Sequence, residues 1–277
     1  MTDMTTSSKK RWSWGCGGCV LILLVIPILY YGAYLLMRGA RPENPQLIAH
    51  RGGTVAAPEN TLAAFENAIR QGADWLEFDV QRTSDGVLVV FHDETVDRTT
   101  DGSGRLTDLT FEQVRALDAG NGERVPTFDE VISLARSAEV GIMPEAKFPE
   151  RLPGLATEML TALETQGYLP GAIVQSFPVD PLAEIRAANS RAQVCRLTGL
   201  WVLSLSDLQP ADAQFACPMA EMLILNPWMI RQAHQDGRKV YPFFGMIEHP
   251  LTMRLLLLLG VDGLMVDDPA ALKAILD

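Results

Sequence analysis

Leu47-Ile48-Ala49-His50-Arg51-Gly52 and Trp75-Leu76-Glu77-Phe78-Asp79-Val80 are short apolar runs that end in or carry charged side chains, and a third, Val87 to Phe91, runs into His92-Asp93. Where strands run parallel in a barrel or an open α/β sheet, the side chains at their carboxyl ends converge on one mouth. The three runs therefore bring two histidines, an arginine and paired carboxylates to a single cleft. Proton carriers, a fixed cation and hard oxygen donors together suit chemistry on a phosphate.

Strand-like segments follow at 46–50, 74–80, 87–91, 141–146, 172–176, 193–197, 222–225, 239–244 and 263–266, separated by helical patterns such as Thr127 to Ala138. Alternation of this kind predicts parallel strands with crossover helices, hence an α/β fold and a TIM-type (β/α)8 barrel. Nine candidates compete for eight places, and 222–225 or 193–197 is expected to be the surplus one. After the first motif, Asn60 or Thr61 can cap a helix whose apolar stripe is Leu62, Phe65 and Ile69 and whose stop is Gly72.

Glu77 and Asp79 stand two apart on a strand, so both carboxylates point to one side and can share a cation that prefers oxygen, Mg²⁺ or Ca²⁺. Their apolar neighbours argue against a solvated acidic face, because buried unpaired carboxylates are costly. His50 and His92 each end an apolar run and are each followed by a charged residue. A phosphodiester resists attack because its charge repels nucleophiles and its alkoxide leaves poorly, so catalysis needs neutralisation and proton delivery. Arg51 supplies charge, and the histidines supply the acid and the base in an order left open. The nucleophile is water or a hydroxyl of the substrate. Glu59 either turns toward the His50 loop or the metal, or simply complements a helix dipole. His234 and His249 are expected to be structural or exposed.

These motifs, with Pro58-Glu59-Asn60-Thr61, Asp85-Gly86, Arg98-Thr99-Thr100, Gly102, Gly104, Glu145-Ala146-Lys147, Ser176-Phe177 and Gly260-Val261-Asp262-Gly263, resemble the glycerophosphodiester phosphodiesterase family over about residues 46 to 269. The resemblance implies metal-dependent hydrolysis of glycerophosphodiesters to an alcohol and glycerol phosphate. It further implies that Glu145 completes the carboxylate cluster and that Lys147 binds phosphate, where composition alone would suggest a surface ion pair. Near the carboxyl terminus the family's Trp-Thr-x-Asn is replaced by Phe243-Phe244-Gly245, so Phe243 stands in for the tryptophan and polar neighbours are lost. A lysophospholipase D acting on membrane lysophospholipids is the second enzymatic reading, and a non-catalytic lipid- or partner-binding barrel the third. Intact histidines and carboxylates argue against the third.

At 277 residues and 48% hydrophobic the chain can bury one large core. Residues 1–41 hold five basic residues against Asp3, +4, which leaves −15 of the net −11 for the remainder. So acidic a domain repels phosphate backbones, and nucleic acid is not expected as a partner. Cys16 to Met37 carries no formal charge over 22 residues and is expected to cross a membrane as a single retained helix, a cleaved signal peptide being the rival reading. The chain is thus divided into 1–41, tail and anchor, and 42–277, phosphodiesterase domain. Lys9, Lys10 and Arg11 outnumber Arg38 and Arg41, which points the barrel out of the cytoplasm. No disulfide is expected between Cys195 and Cys217.

Overall fold

A computed structural model describes residues 16–39, 41–200 and 213–277, with side chains from residue 25 onward. The described chain divides into two units, one up to Arg38 and one from Gly39 to Asp277. The first holds helix α1 (Cys16–Met37), which contains Pro27. Among the described residues no helix is long and apolar enough to cross a membrane. Of the expected membrane segment, residues 16–24 lie outside those whose side chains are described.

In the second unit, strands buried on both faces alternate with helices buried on one. The order is β1 (Gln46–Ala49), α2 (Leu62–Arg70), β2 (Trp75–Arg82), β3 (Leu88–Val90), α3 (Phe111–Ala116), α4 (Phe128–Ala138), β4 (Gly141–Ala146), α5 (Leu155–Thr165), β5 (Ile173–Ser176), α6 (Asp180–Ala188) and β6 (Gln193–Thr198). Then come β7 (Phe215–Pro218), α7 (Ala220–Leu225), α8 (Trp228–Gln235), β8 (Lys239–Val240), α9 (Pro250–Leu259), β9 (Gly263–Val266) and α10 (Pro269–Leu276). Eight of these strands run side by side in the order β8-β7-β6-β5-β4-β2-β1-β9. The seam between β8 and β9 is joined by Asp262 N–H to Val240 O and Met265 N–H to Pro242 O, both 3.0 Å. The result is a nearly closed parallel barrel.

Its interior is filled by Ile48, Met143, Ile173, Leu197, Phe215, Tyr241 and Met265 with Cys195 and Cys217. Burying a side chain of this size is worth about 1.5–3 kcal/mol, so the barrel is a packed core rather than a pore. Outside it, Phe65 of α2 and Phe128 of α4 meet Phe78 of β2 at ring-centroid distances of 5.6 and 5.9 Å. Thr61, not Asn60, caps α2: its hydroxyl accepts the Ala64 N–H at 3.2 Å.

Three expectations are corrected, and of the two candidates for the surplus strand it is 222–225 that is not one. The apolar run 222–225 belongs to helix α7, while 193–197 is a genuine barrel strand and 215–218 an unforeseen one. Runs of four apolar residues do not distinguish strand from helix, and Phe215-Ala216-Cys217-Pro218 is short and ends in proline. The third run is not a barrel strand: β3 folds back antiparallel on β2, with Val80 opposite Val90. Cys195 and Cys217 are bonded. They are diagonal neighbours across the β6–β7 ladder inside the barrel, Cys195 opposite Phe215 and Cys217 opposite Leu197, with Cα atoms 6.0 Å apart, within the span a disulfide bridges. Spacing along the chain carries no information on this register.

Candidate active site

The chain leaves β1 through three consecutive residues with positive φ, Arg51 (50°), Gly52 (84°) and Gly53 (86°). A Cβ on Gly52 would stand 2.8 Å from the Cβ of Ala64, and one on Gly53 2.8 Å from Pro269, so both glycines are required by contact as well as by φ. A non-glycine in this region costs on the order of 1–3 kcal/mol. The Arg51 backbone is held there by its N–H donating to Glu77 Oε2 at 2.9 Å and by its carbonyl accepting the Asn60 N–H at 2.9 Å. This turn places the His50 ring and the Arg51 guanidinium over the carboxyl ends of β1 and β2.

Glu77, Asp79 and Glu145 come from adjacent strands, Asp79 opposite Glu145 in the β2–β4 register. All three are buried, and one oxygen of each lies within 4.8 Å of the others. Burial pushes the Glu77 carboxyl up to about 7 and that of Glu145 up to about 8; the Asp79 charge adds to both, and the Glu77 charge adds at Glu145. Burial pushes Asp79 up too, but Lys147 and Arg51 outweigh it and hold that carboxyl below its ordinary range. Lys147 Nζ stands 3.4 Å from Asp79 and 3.2 Å from Glu145, and Arg51 Nε 3.4 Å from Asp79. Lys147 is 9% exposed, which excludes a solvated surface pair. Three carboxylates, two of them unfavourably charged where they stand, fit a hard divalent ion. Asn60 steadies Asp79 from behind, Nδ2 to Oδ2 at 2.9 Å, and Gln175 donates to Glu77 at 2.9 Å.

The two histidines flank this cluster. His50 Nδ1 lies 2.7 Å from Asp267 Oδ1, beyond the end of β9, and its Nε2 lies 4.0 Å from Glu77. His92 reaches the mouth on the returning β3 segment, which Gln81 fastens by donating to the carbonyls of Phe91 and Asp93 at 2.9 and 2.7 Å. Its Nδ1 lies 2.6 Å from Asp93 Oδ1. Asp93 is gripped by Arg98, which also donates to both oxygens of Glu59 at 2.8 and 2.7 Å, and Glu59 in turn accepts from Arg51 at 3.0 Å. Glu59 thus turns toward the His50 loop. Each ring is tied at Nδ1 to a carboxylate, which leaves Nε2 for the cleft.

Burial pulls the His50 imidazole down, yet Asp267 and Glu77 outweigh it and leave it raised; burial, helped by Lys147 and Arg51, leaves His92 lowered. Phe243 packs at the rim against Phe177, ring centroids 6.0 Å apart. An open groove of about 580 Å³, lined in part by Glu59, Arg98, Asp101, Asp118 and Asn121, adjoins the His92 side. His234 pairs with Asp262 at 2.8 Å near the opposite end of the barrel, and His249 caps α9 by accepting the Leu251 N–H at 3.1 Å.

Sequence reasoning gave no part in the site to Asp267, Gln175 or Glu248, took Asn60 only as a possible helix cap, and assigned no roles to Asp93 and Arg98. Asp93 and Arg98 were within reach, since they accompany His92 in the same motif. Asp267 lies in Val266-Asp267-Asp268-Pro269, but only the closed barrel brings it to His50.

Residues 50–271 match the model of the glycerophosphoryl diester phosphodiesterase family. The chain is 34% identical over 239 residues, 82% of its length, to a glycerophosphodiester phosphodiesterase of Caldanaerobacter subterraneus, of which 95% is covered. It is 58% identical over 166 residues to glycerophosphodiester phosphodiesterase 1 of Mus musculus, covering 57% of this chain and 50% of that one. Among solved structures it resembles an Oleispira antarctica phosphodiesterase in complex with the product sn-glycerol-3-phosphate, at 27% identity and a TM-score of 0.72, with 83% and 96% of the two chains covered.

Proposed function

The chain belongs to the glycerophosphoryl diester phosphodiesterase family and is an enzyme that hydrolyses glycerophosphodiesters, and we propose that it does so with a divalent cation, Mg²⁺ or Ca²⁺, held by Glu77, Asp79 and Glu145. When bound, such an ion would neutralise phosphoryl charge and polarise a phosphoryl oxygen, making the phosphorus easier to attack. Arg51 and Lys147 hold the remaining phosphate oxygens, both being fixed by the same buried carboxylates. One imidazole Nε2 takes the proton of the attacking hydroxyl, from water or the adjacent glycerol hydroxyl, as its oxygen bonds phosphorus. The other gives a proton to the alcohol oxygen as the opposite P–O bond breaks. A cyclic phosphate, if formed, is opened by water with the roles exchanged. The carrying observation is that two carboxylate-tethered histidines stand on either side of the acidic triad.

The test is release of glycerol phosphate from a panel of headgroups. Chelation is expected to abolish it, added Mg²⁺ or Ca²⁺ to restore it, and Glu77→Gln to weaken metal binding in a folded protein. Full activity in excess chelator with no bound metal would overturn the metal assignment.

A second reading, lysophospholipase D activity within lipid metabolism, is favoured by the apolar rim: Phe177 beside Phe243, and exposed Met246 and Ile247. We also infer a single membrane-spanning segment at residues 16–37 with the barrel outside the cytoplasm. The buried Cys195–Cys217 bond supports that side, since disulfides persist in oxidising compartments. Protease treatment of intact cells tests the orientation: digestion of the barrel supports it, and protection until permeabilisation reverses it.

A further inference from the structure

The carboxylate that holds His50 is itself held, through backbone rather than side chain. Glu248 Oε2 accepts the N–H of Asp267 at 2.7 Å, and its Oε1 accepts the N–H of Asp268 at 2.9 Å. Two successive amides gripped by one carboxylate fix the peptide between them in position and orientation, because both bonds are charge-assisted and neither can turn without breaking the other. Asp267 leaves that peptide with its Oδ1 against His50 Nδ1. Glu248 itself lies in the loop between β8 and α9, and the start of that loop is gripped in the same manner. Glu221 of α7, 8% exposed, accepts the N–H groups of Gly245 at 3.3 Å, Met246 at 2.8 Å and Ile247 at 2.9 Å. Contacts thus run from Glu221 through loop 245–247 to Glu248, on to the Asp267–Asp268 peptide, and then to His50. They tie together the carboxyl ends of β7, β8, β9 and β1, the sector that contains the β8–β9 seam.

We propose that Glu248 is a positioning residue for His50: it sets the Asp267 carboxylate on Nδ1 and so aims Nε2 at the phosphodiester, with Glu221 anchoring the loop on which Glu248 rides. The inference rests on the reading of His50 as a proton carrier in the phosphodiesterase reaction. Both Glu248 oxygens are taken up by backbone N–H groups behind Asp267, so its loss misplaces a reacting group rather than a binding one. A misplacement of about 1 Å can cost on the order of 10²-fold in rate. Glu248→Gln keeps the shape and one acceptor oxygen but sets an amide NH2 against a backbone N–H.

The experiment compares kcat, KM and melting temperature for wild type, Glu248→Gln, Glu248→Ala, Asp267→Asn and the double variant Glu248→Gln/Asp267→Asn, with His50→Ala as reference. The expected result is a fall in kcat of about 10-fold for Glu248→Gln and more for Glu248→Ala, with KM within about 2-fold. In the double variant the two losses should not multiply, because Glu248 acts through Asp267. A Glu248→Gln enzyme with wild-type kcat, or losses that multiply in the double variant, overturns the proposal even where Glu248→Ala fails to fold. His50→Ala separates the two failures. If that variant keeps its turnover, the reading of His50 falls; if it loses turnover while Glu248→Gln does not, only the positioning role falls.

Discussion

His92 takes its carboxylate from the next residue, Asp93, whereas His50 takes its own from Asp267, 217 positions away. The first mount is a local loop clasped by Arg98, whose side chain is half exposed. The second spans the junction of β1 and β9 and exists only when the barrel has closed. One device therefore depends on short-range charge in partial contact with solvent, the other on the global fold. The surroundings differ in sign as well, leaving His50 raised and His92 lowered from the ordinary imidazole value. Two proton carriers with opposed surroundings can begin a reaction in different protonation states, as an acid and base pair must.

The largest expected effect removes the rings themselves. His50→Ala and His92→Ala should each lower turnover by about 10²-fold or more, the span of a positioned acid or base, with melting temperature nearly unchanged. Steady-state kinetics with circular dichroism check this, and normal turnover in either variant would break the pairing.

The next test separates the mounts. Asp267→Asn and Asp93→Asn each replace an acceptor-only partner of Nδ1 by an amide that can orient the wrong tautomer, so turnover should fall about 10-fold or more in each. The two should respond differently to salt. The Asp93–Arg98 pair is exposed enough to be screened, so wild-type turnover should pass through a partial loss of the His92 mount at high ionic strength that Asp93→Asn no longer shows. A salt response that Asp93→Asn retains unchanged would place it elsewhere in the molecule.

How much of this was readable in the sequence follows the same division. Glu77 and Asp79 declare themselves because strand side chains alternate, and His92 because its partner is its neighbour. The α/β alternation predicts the barrel, although Phe215–Pro218 is too short to stand out and 222–225 looks alike as strand or helix. Glu248 and Glu221 are invisible for a different reason. They recognise backbone N–H groups, which every residue but proline carries, so no pattern of side chains marks the place where such a carboxylate is needed. The Cys195–Cys217 bond is hidden in the same way, since it depends on the register between β6 and β7.

A smaller effect sharpens the contrast through acid. The hydrogen bond from Arg98 pushes Asp93 down to about 2, and for Glu59 Arg98 and Arg51 outweigh the opposing effect of burial and leave that carboxyl lowered. Both folded-state values lie below the unfolded ones, near 4. Their contribution to stability is therefore present above that range and lost as pH falls through the folded values. The gap in melting temperature between wild type and Arg98→Ala should stay constant above about pH 5 and shrink from about pH 4 toward 2. A gap that instead widens in acid would mean that Arg98 is not the partner that matters.

The smallest expected effect comes from the third histidine–carboxylate pair. His234 Nε2 stands 2.8 Å from Asp262 Oδ2, a geometry as good as that at His50. Geometry alone therefore does not single out a proton carrier. Asp262 precedes β9 where Asp267 follows it, so this pair sits at the amino end of the strands, away from Glu77, Asp79 and Glu145. Asp262 Oδ2 also accepts the Val240 N–H at 2.8 Å, a bond that helps join β8 to β9 and survives loss of the ring. His234→Ala should keep wild-type kcat and KM and lose no more than about 1 kcal/mol of stability, as for a partly exposed pair. If His234→Ala proves as damaging to turnover as His50→Ala, the mouth has been assigned to the wrong end of the barrel, and the comparison of the two mounts falls with it.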